Sequence, residues 1–373
     1  MASIFKWFFR VVNLWVAWTF RKRNVGLAIV AACCAVLVAI VSGSISVEAN
    51  GVFGVVDAFK FSTSGGAEDL VQTVIVWTML LGVAIGIGLA SHAYWQEMKE
   101  ADIKRVVVVE LRGLVDTSDH PLIAAVPKSL RGQKIDALVD VRQLLTGPTP
   151  NVSAALLEIR HLQRNVRHVR GDAARAHVQV VAGGIMPVPL LFYSGVLLDD
   201  EGHVLLMDWE RIQKLWKPLD DPDNGTRFIV NETQGTRQSK AVVLAVSASY
   251  RVDMADIQTT FPGLPVVDMA LQGLAVNSSW SEEAQIQLTQ QFLQMLGTLA
   301  NDGVELIHLV LAAPASLSIR FGMAYDGRNM PTLRCYQWNR GQIPPYEWSV
   351  QMPTHQHEAA VYVQTPTHEV TTG

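Results

Sequence analysis

The sequence predicts an α/β protein in which a two-helix transmembrane region precedes the soluble part. Three observations predict it. Two long apolar runs stand before Trp95, β-rich runs alternate with helical stretches from about Lys104, and one stretch of the soluble part recurs 127 positions later. A chain of 373 residues, 49% of them hydrophobic, has room for membrane helices and for one large or two small soluble cores. Mean hydropathy is +0.21, and most of the excess lies before Trp95. The net charge of −4 sets up no global field for nucleic acid, so neither a DNA nor an RNA polymer is an expected partner. Cys33 and Cys34 sit in an apolar run and Cys335 stands alone. That is no disulfide framework and suits a reducing compartment.

Residues 1–24 mix aromatics (Phe5, Trp7, Phe8, Phe9, Trp15, Trp18, Phe20) with Lys6 and Arg10, as a helix lying in the membrane interface would. The membrane region follows at 25–95. Val25–Val47 carries no charge; as a helix it spans about 34 Å against a hydrocarbon core of roughly 30 Å. A secretory signal core runs to only about 7–15 residues, so this segment is expected to be retained. Leu70–Trp95 is the second run, broken only by Gln72, Thr73, Thr78, Ser91 and His92. Lys6, Arg10, Arg21, Lys22 and Arg23 precede the first helix, and Lys99, Lys104 and Arg105 follow the second. Between them lie Lys60 and four acids, Glu48, Asp57, Glu68 and Asp69. The distribution predicts a multi-pass protein with a short external loop and both termini cytoplasmic. Gly82, Gly86 and Gly88 form a small-residue strip suited to close helix packing and to self-association. Neither helix has a charged residue in its middle, which favours an anchor or an oligomeric lesion over a carrier.

In the soluble part, HVQVVAGGIMPVPLLFYSGVLLDDEGHVLLMDWE from His177 resembles ELIHLVLAAPASLSIRFGMAYDGRNMPTLRCYQW from Glu305. Pro187 matches Pro314, Gly195 matches Gly322 and Trp209 matches Tyr336, all at the same offset. Each copy reads as buried strand, proline turn, helix, polar turn and strand. Upstream, the β-branched run Arg105–Arg112 pairs with the run from Ala241. Each is followed by a helix of 3.6-residue apolar spacing, through Leu156, Ile159, Leu162, Val166 and Val169, then through Ile286, Phe292, Leu293, Leu296 and Leu299. Two related α/β halves follow, about 104–225 and 238–350, joined by a turn-rich connector. The polar tail 351–373, with His355, His357 and His368, reads as disordered.

Ligands of open parallel sheets sit beyond the carboxyl ends of strands. Arg112, Ser247, Ser249 and Tyr250 follow the first strands of the halves. Gly183, Gly184, Met186, Pro187, Ala313, Pro314 and Ser316 follow the later ones, and Tyr193 and Arg320 occupy matching positions beyond the two prolines. Small residues and free amides at helix starts suit phosphate binding, and equally suit tight turns and caps. No Walker A loop, HExxH, CxxC pair or GxSxG elbow is present, so no catalytic residue is assigned. Asp116, Asp119 and His120 share a polar loop that is expected to hold no metal. On the helix from Val152 to Arg170, Arg160, Arg164 and Arg167 share one side, which reads as a solvated face, with contact to anionic headgroups or a neighbouring subunit as the alternative.

IHLVLAAPASLSIRFGMAYDGRNMPTLRCYQWNR, followed by YEWSVQMP, resembles the closing part of SAVED domains, which are two fused CARF-like, Rossmann-type units. The resemblance covers about residues 104–350. It implies a receptor for a cyclic di- or trinucleotide in bacterial anti-phage signalling (CBASS), with no other cofactor. A nucleotidyltransferase makes the messenger, and this sequence is similar to the type whose effector is two membrane helices. Ligand binding in the family promotes assembly, so self-association through the SAVED domain and the helices is expected, with disruption of the inner membrane as the output. A ligand with several phosphates and bases needs cations and stacking surfaces. Arg112, Arg251 and Arg320 can supply charge; Tyr193, Tyr250, Trp209, Tyr336 and Trp338 can stack. A membrane-bound enzyme degrading such a messenger, or a constitutive membrane scaffold, are the alternatives.

Overall fold

The computed structural model describes residues 25–41, 68–147, 150–233, 235–274, 280–355 and 357–366. The expected interfacial segment 1–24, residues 42–67 of the expected external loop region and His368 lie outside them. The chain forms two compact units, residues 1–100 and 101–373.

The first unit holds α1 (Val25–Val41) and all but the last turn of α2 (Glu68–Ile103). Within α2, Thr73–Gln96 has a mean hydropathy of 2.2 and little of it is buried. It is the one helix among the described residues long and apolar enough to cross a membrane; the described apolar part of α1 is shorter, Val25–Val38. Val74, Trp77, Leu81 and Ile87 are all more than half exposed, so this surface suits a hydrocarbon solvent rather than water. The two helices meet through glycine. A Cβ at Gly86 would lie 2.7 Å from the Gly26 carbonyl oxygen, and one at Gly82 would lie 2.6 Å from Cys33 Sγ. Gly82 and Gly86 therefore serve pairing within the chain, whereas Gly88 faces open space.

The second unit contains two sheets built on one plan. The first has the order β2-β1-β3-β4-β5, from β1 (Arg105–Arg112), β2 (Gln133–Asp140), β3 (Val178–Ile185), β4 (Val204–Glu210) and β5 (Leu215–Pro218). The second has the order β12-β11-β10-β9-β7-β8-β6. Its strands are β6 (Phe228–Glu232), β7 (Ala241–Ser247), β8 (Val266–Leu271), β9 (Leu306–Ala312), β10 (Thr332–Gln337), β11 (Trp348–Gln351) and β12 (Val361–Gln364). With β7 in the place of β1, the central order 8-7-9-10-11 repeats 2-1-3-4-5. In both sheets the first four are parallel and the fifth is antiparallel. Registers agree as well: Arg112 sits opposite Ile185, and Ser247 opposite Ala312.

The helices follow the duplication. In the first half, α3 (Leu122–Ala125) and α4 (Arg142–Leu145) are short, and α5 (Val152–Arg160) continues into α6 (Leu162–Arg170) through a break at His161. After β3 comes α7 (Val188–Leu198). The second half has α8 (Met254–Thr260), α9 (Glu282–Asn301) and α10 (Ala315–Ala324). Pro187 and Pro314 stand at the starts of α7 and α10, the place where a missing N–H costs nothing. These two helices join the halves. A Cβ at Gly195 would lie 2.1 Å from the Ile319 carbonyl oxygen, and one at Gly322 would lie 2.0 Å from that of Phe192. The two contacts are equivalent under the duplication, so the helices cross on a pseudo-twofold axis. Phe292 and Phe321 stack beside it, centroids 4.3 Å apart, and a single core cluster runs through both halves.

Two segments differ from the sequence expectation. The connector contributes β6, whose Phe228 exchanges two hydrogen bonds with the Gln291 amide. The polar tail contributes β12, antiparallel to β11. Both are runs of only a few β-branched and aromatic residues, stabilised by a neighbouring strand that local patterning does not reveal.

Candidate functional site

The strand ends of the two halves converge on the pseudo-twofold. Gly113 and Leu114 N–H both donate to the Ile185 carbonyl at 2.9 Å. Ala248 and Ser249 N–H donate to the equivalent Ala312 carbonyl at 2.8 and 2.9 Å. These paired turns open a cleft of about 230 Å³ at the carboxyl ends of β3, β4, β9 and β10. Met186 and Pro187 from one half line it, as do Ala313 and Pro314 from the other.

Each half caps a helix of its partner across this cleft. The Val188 N–H at the start of α7 donates to Gln337 Oε1 of β10 at 3.2 Å. The Ser316 N–H and hydroxyl, in the first turn of α10, donate to Asp208 Oδ2 of β4 at 3.1 and 2.7 Å. Trp209 N–H takes the other Asp208 oxygen at 2.8 Å. Burial pushes the Asp208 carboxyl above the usual carboxylate range, against these three donors, which favour its charged form. Ser316 also accepts from Gln285, which with Glu282 holds Arg320.

Three aromatic side chains line the cleft. Trp209 packs edge-on against Trp216 with centroids 5.2 Å apart. Trp280 precedes α9 and carries the Lys217 ammonium 5.0 Å over its ring. Tyr250 is about half exposed, and its hydroxyl accepts from Arg211 at 3.2 Å, linking the turn after β4 to the turn after β7. Arg211 is the cation among the cleft-lining residues. Flat rings, one exposed cation, an amide and a buried carboxyl can bind a ligand that is aromatic in parts and anionic in others.

Residues 162–352 match SAVED, the SMODS-associated and fused to various effectors sensor domain. The chain belongs to the SAVED family. Residues 3–156 match the SAVED-fused 2TM effector domain, so the sensor is joined here to a two-transmembrane effector. The two matches divide at α5 and α6, inside the first α/β half rather than before it. Among solved structures, the SAVED/CARF-domain containing receptor Cap4 of Acinetobacter baumannii with the cyclic trinucleotide 2′3′3′-cAAA is similar at 11% identity and a TM-score of 0.45. The match covers 76% of this chain and 60% of that one. Cap4 of Moraxella osloensis has 12% identity and a TM-score of 0.41, covering 78% and 59%. The SAVED chain thus spans about 60% of the length of these structures. No curated protein matches.

The SAVED cleft brings together Gly184, Met186, Pro187, Trp209, Ser249, Tyr250, Ala313 and Pro314 of the residues singled out in the sequence. The others lie outside its lining. Arg112 is buried and bound to Glu110 at 2.7 Å, and Arg251 pairs with Asp268 at 2.6 Å. Arg320 pairs with Glu282 at 3.2 Å, mostly out of solvent. Tyr193 belongs to the core, and Ser247 accepts from Val252 N–H. Ser316 reaches the cleft only through Asp208. Trp338 is half exposed, its indole N–H on Asp256 at 2.8 Å. Asp116, in the polar loop, accepts from Ser118 and pairs with Arg142 at 2.8 Å, and no metal-ligating cluster occurs among the described residues. Asp208, Arg211, Trp280 and Gln337 escaped the sequence reading. The duplication did mark the neighbourhood of three of them, since Trp209 and Tyr336 stand beside Asp208, Arg211 and Gln337.

Proposed function

We propose that this SAVED protein is a receptor and effector of bacterial anti-phage defence. It binds a cyclic di- or trinucleotide made by a nucleotidyltransferase, assembles, and breaches the inner membrane through its helices. The single observation that carries the reading is the cleft at equivalent strand ends, where Trp209, Tyr250 and Trp280 surround a site holding Arg211. Rings suit bases, and the guanidinium suits phosphate. The Asp208 carboxyl beneath them is already engaged by the Ser316 and Trp209 donors. In this reading the protein is a sensor rather than an enzyme, the helices cross the inner membrane twice, and the positive flanks keep both termini cytoplasmic.

Calorimetry on the full chain in detergent, with a panel of cyclic di-, tri- and tetranucleotides, tests it. One ligand binds in the nanomolar to micromolar range. Because base–aromatic stacking contributes about 1–3 kcal/mol per base, Tyr250→Ala or Trp209→Ala weakens it roughly five- to hundredfold. Absence of binding across the panel removes the receptor reading. Wild-type affinity in both variants moves the site out of this cleft.

A further inference from the structure

Opposite the cleft, at the edge where the strands begin, the soluble unit carries a basic surface that ligand recognition does not use. Between residues 159 and 178 the sequence has Arg160, Arg164, Arg167, Arg170 and Arg175 against the single carboxylate Asp172, in a chain of net charge −4. Arg160, Arg164, Arg167 and Arg175 are exposed, as are His168 and His177. The lower end of α6 is fixed at this edge because Arg105, the first residue of β1, donates through Nη1 to the Arg170 carbonyl at 2.6 Å. Arg175–His177 forms a short helical turn directly before β3. Acidic neighbours offset part of the charge: Glu201 lies 4.0 Å from Arg167 and 3.6 Å from Arg170, and Asp200 lies 3.9 Å from Arg167. Arg160, Arg164 and Arg175 make no ion pair among the described residues.

Chain length limits where this edge can go. The apolar span of α2 ends at Gln96 and β1 begins at Arg105. Even fully extended, so short a segment reaches no farther than roughly 30 Å. A cationic face on so short a tether stays within reach of the leaflet, whose field acts over about one Debye length, roughly 8 Å at physiological salt.

We infer that the strand-start edge of the SAVED unit, through Arg164, Arg167, His168, Arg175 and His177, docks on the anionic headgroups of the leaflet that holds α2. The occupant is a lipid surface rather than a second copy of the chain, because the short linker tethers every copy to a bilayer. The contact is independent of the cleft, and it is measured without nucleotide.

Hydrogen–deuterium exchange of the full chain, one copy per nanodisc, tests this. Neutral phosphatidylcholine discs are compared with discs containing phosphatidylglycerol. The segment 160–178 exchanges more slowly in the anionic discs, and about 1 M salt, where the Debye length is about 3 Å, abolishes the difference. Each basic group near an anionic surface weights the docked state by roughly fivefold. Arg167→Glu with Arg175→Glu therefore removes most of the protection while leaving exchange in the β3 core unchanged. Equal exchange in the two lipids overturns the inference, as does protection that appears only when several copies share a disc. The salt comparison uses the wild-type chain, so it stands even where the double variant folds poorly.

Discussion

His308 shows how much chemistry one side chain can carry without announcing itself. It lies on β9 beneath Phe261, with Nδ1 2.8 Å from the Tyr336 hydroxyl. Burial, aided by the nearby Arg334 charge, lowers its pKa from 6.5 to about 4. Between those values the unfolded chain binds a proton that the folded chain refuses, so stability falls as pH drops through 6.5 and levels off below about 4. At 1.36 kcal/mol per pKa unit the loss is on the order of 3 kcal/mol. Urea unfolding from pH 7 to pH 4 should show it, and His308→Gln should flatten that part of the profile; an unchanged slope would sink the assignment. At this scale the sequence was partly legible. Met186, Pro187 and Pro314 could be placed at the cleft because a turn after a parallel strand lands at the carboxyl end of the sheet. Arg112 was misleading, although Glu110 two residues earlier shares its strand face. Arg251 and Arg320 find their carboxylates only in three dimensions, on β8 and at the start of α9.

Elements were more legible, because a repeat constrains many residues at once. The common offset of Pro187 and Gly195 to Pro314 and Gly322 survives as two helix starts and one helix crossing. Neither β6 nor β12 has a counterpart in the first sheet, so the repeat could not announce them. The crossing predicts a contrast between two glycines. At Gly322 a methyl group would strike the Phe192 carbonyl, and helices so tightly packed cannot part without disturbing the shared core. Overpacking of this kind costs about 1–3 kcal/mol, occasionally more. Gly297 lies in α9 with nothing within 4 Å of its Cβ position. There alanine should gain up to about 1 kcal/mol from helix propensity. Denaturant midpoints of Gly322→Ala and Gly297→Ala should therefore move in opposite directions. A Gly322→Ala midpoint equal to wild type would mean that the helices cross less closely than described.

For the whole molecule, the proposed function requires a cleft in one unit to govern helices in another. Val25–Val41 and Thr73–Gln96 hold no Asp, Glu, Lys or Arg, so one copy offers an ion no polar path across a bilayer. On the proposed reading, a breach requires several copies, and the messenger must favour the assembled state. A ligand at about 100 times its Kd supplies roughly 2.7 kcal/mol, which changes such an equilibrium by about a hundredfold. The size of that shift separates a switch from a permanent scaffold. Cells expressing the chain should keep their membrane potential until the messenger is supplied, then depolarise. Arg211→Glu, which repels phosphate and breaks the link to Tyr250, should abolish the response without changing detergent extraction of the protein. Depolarisation that ignores the messenger would leave a constitutive scaffold. Messenger that is bound but never lowers the potential would leave a receptor whose helices only anchor it.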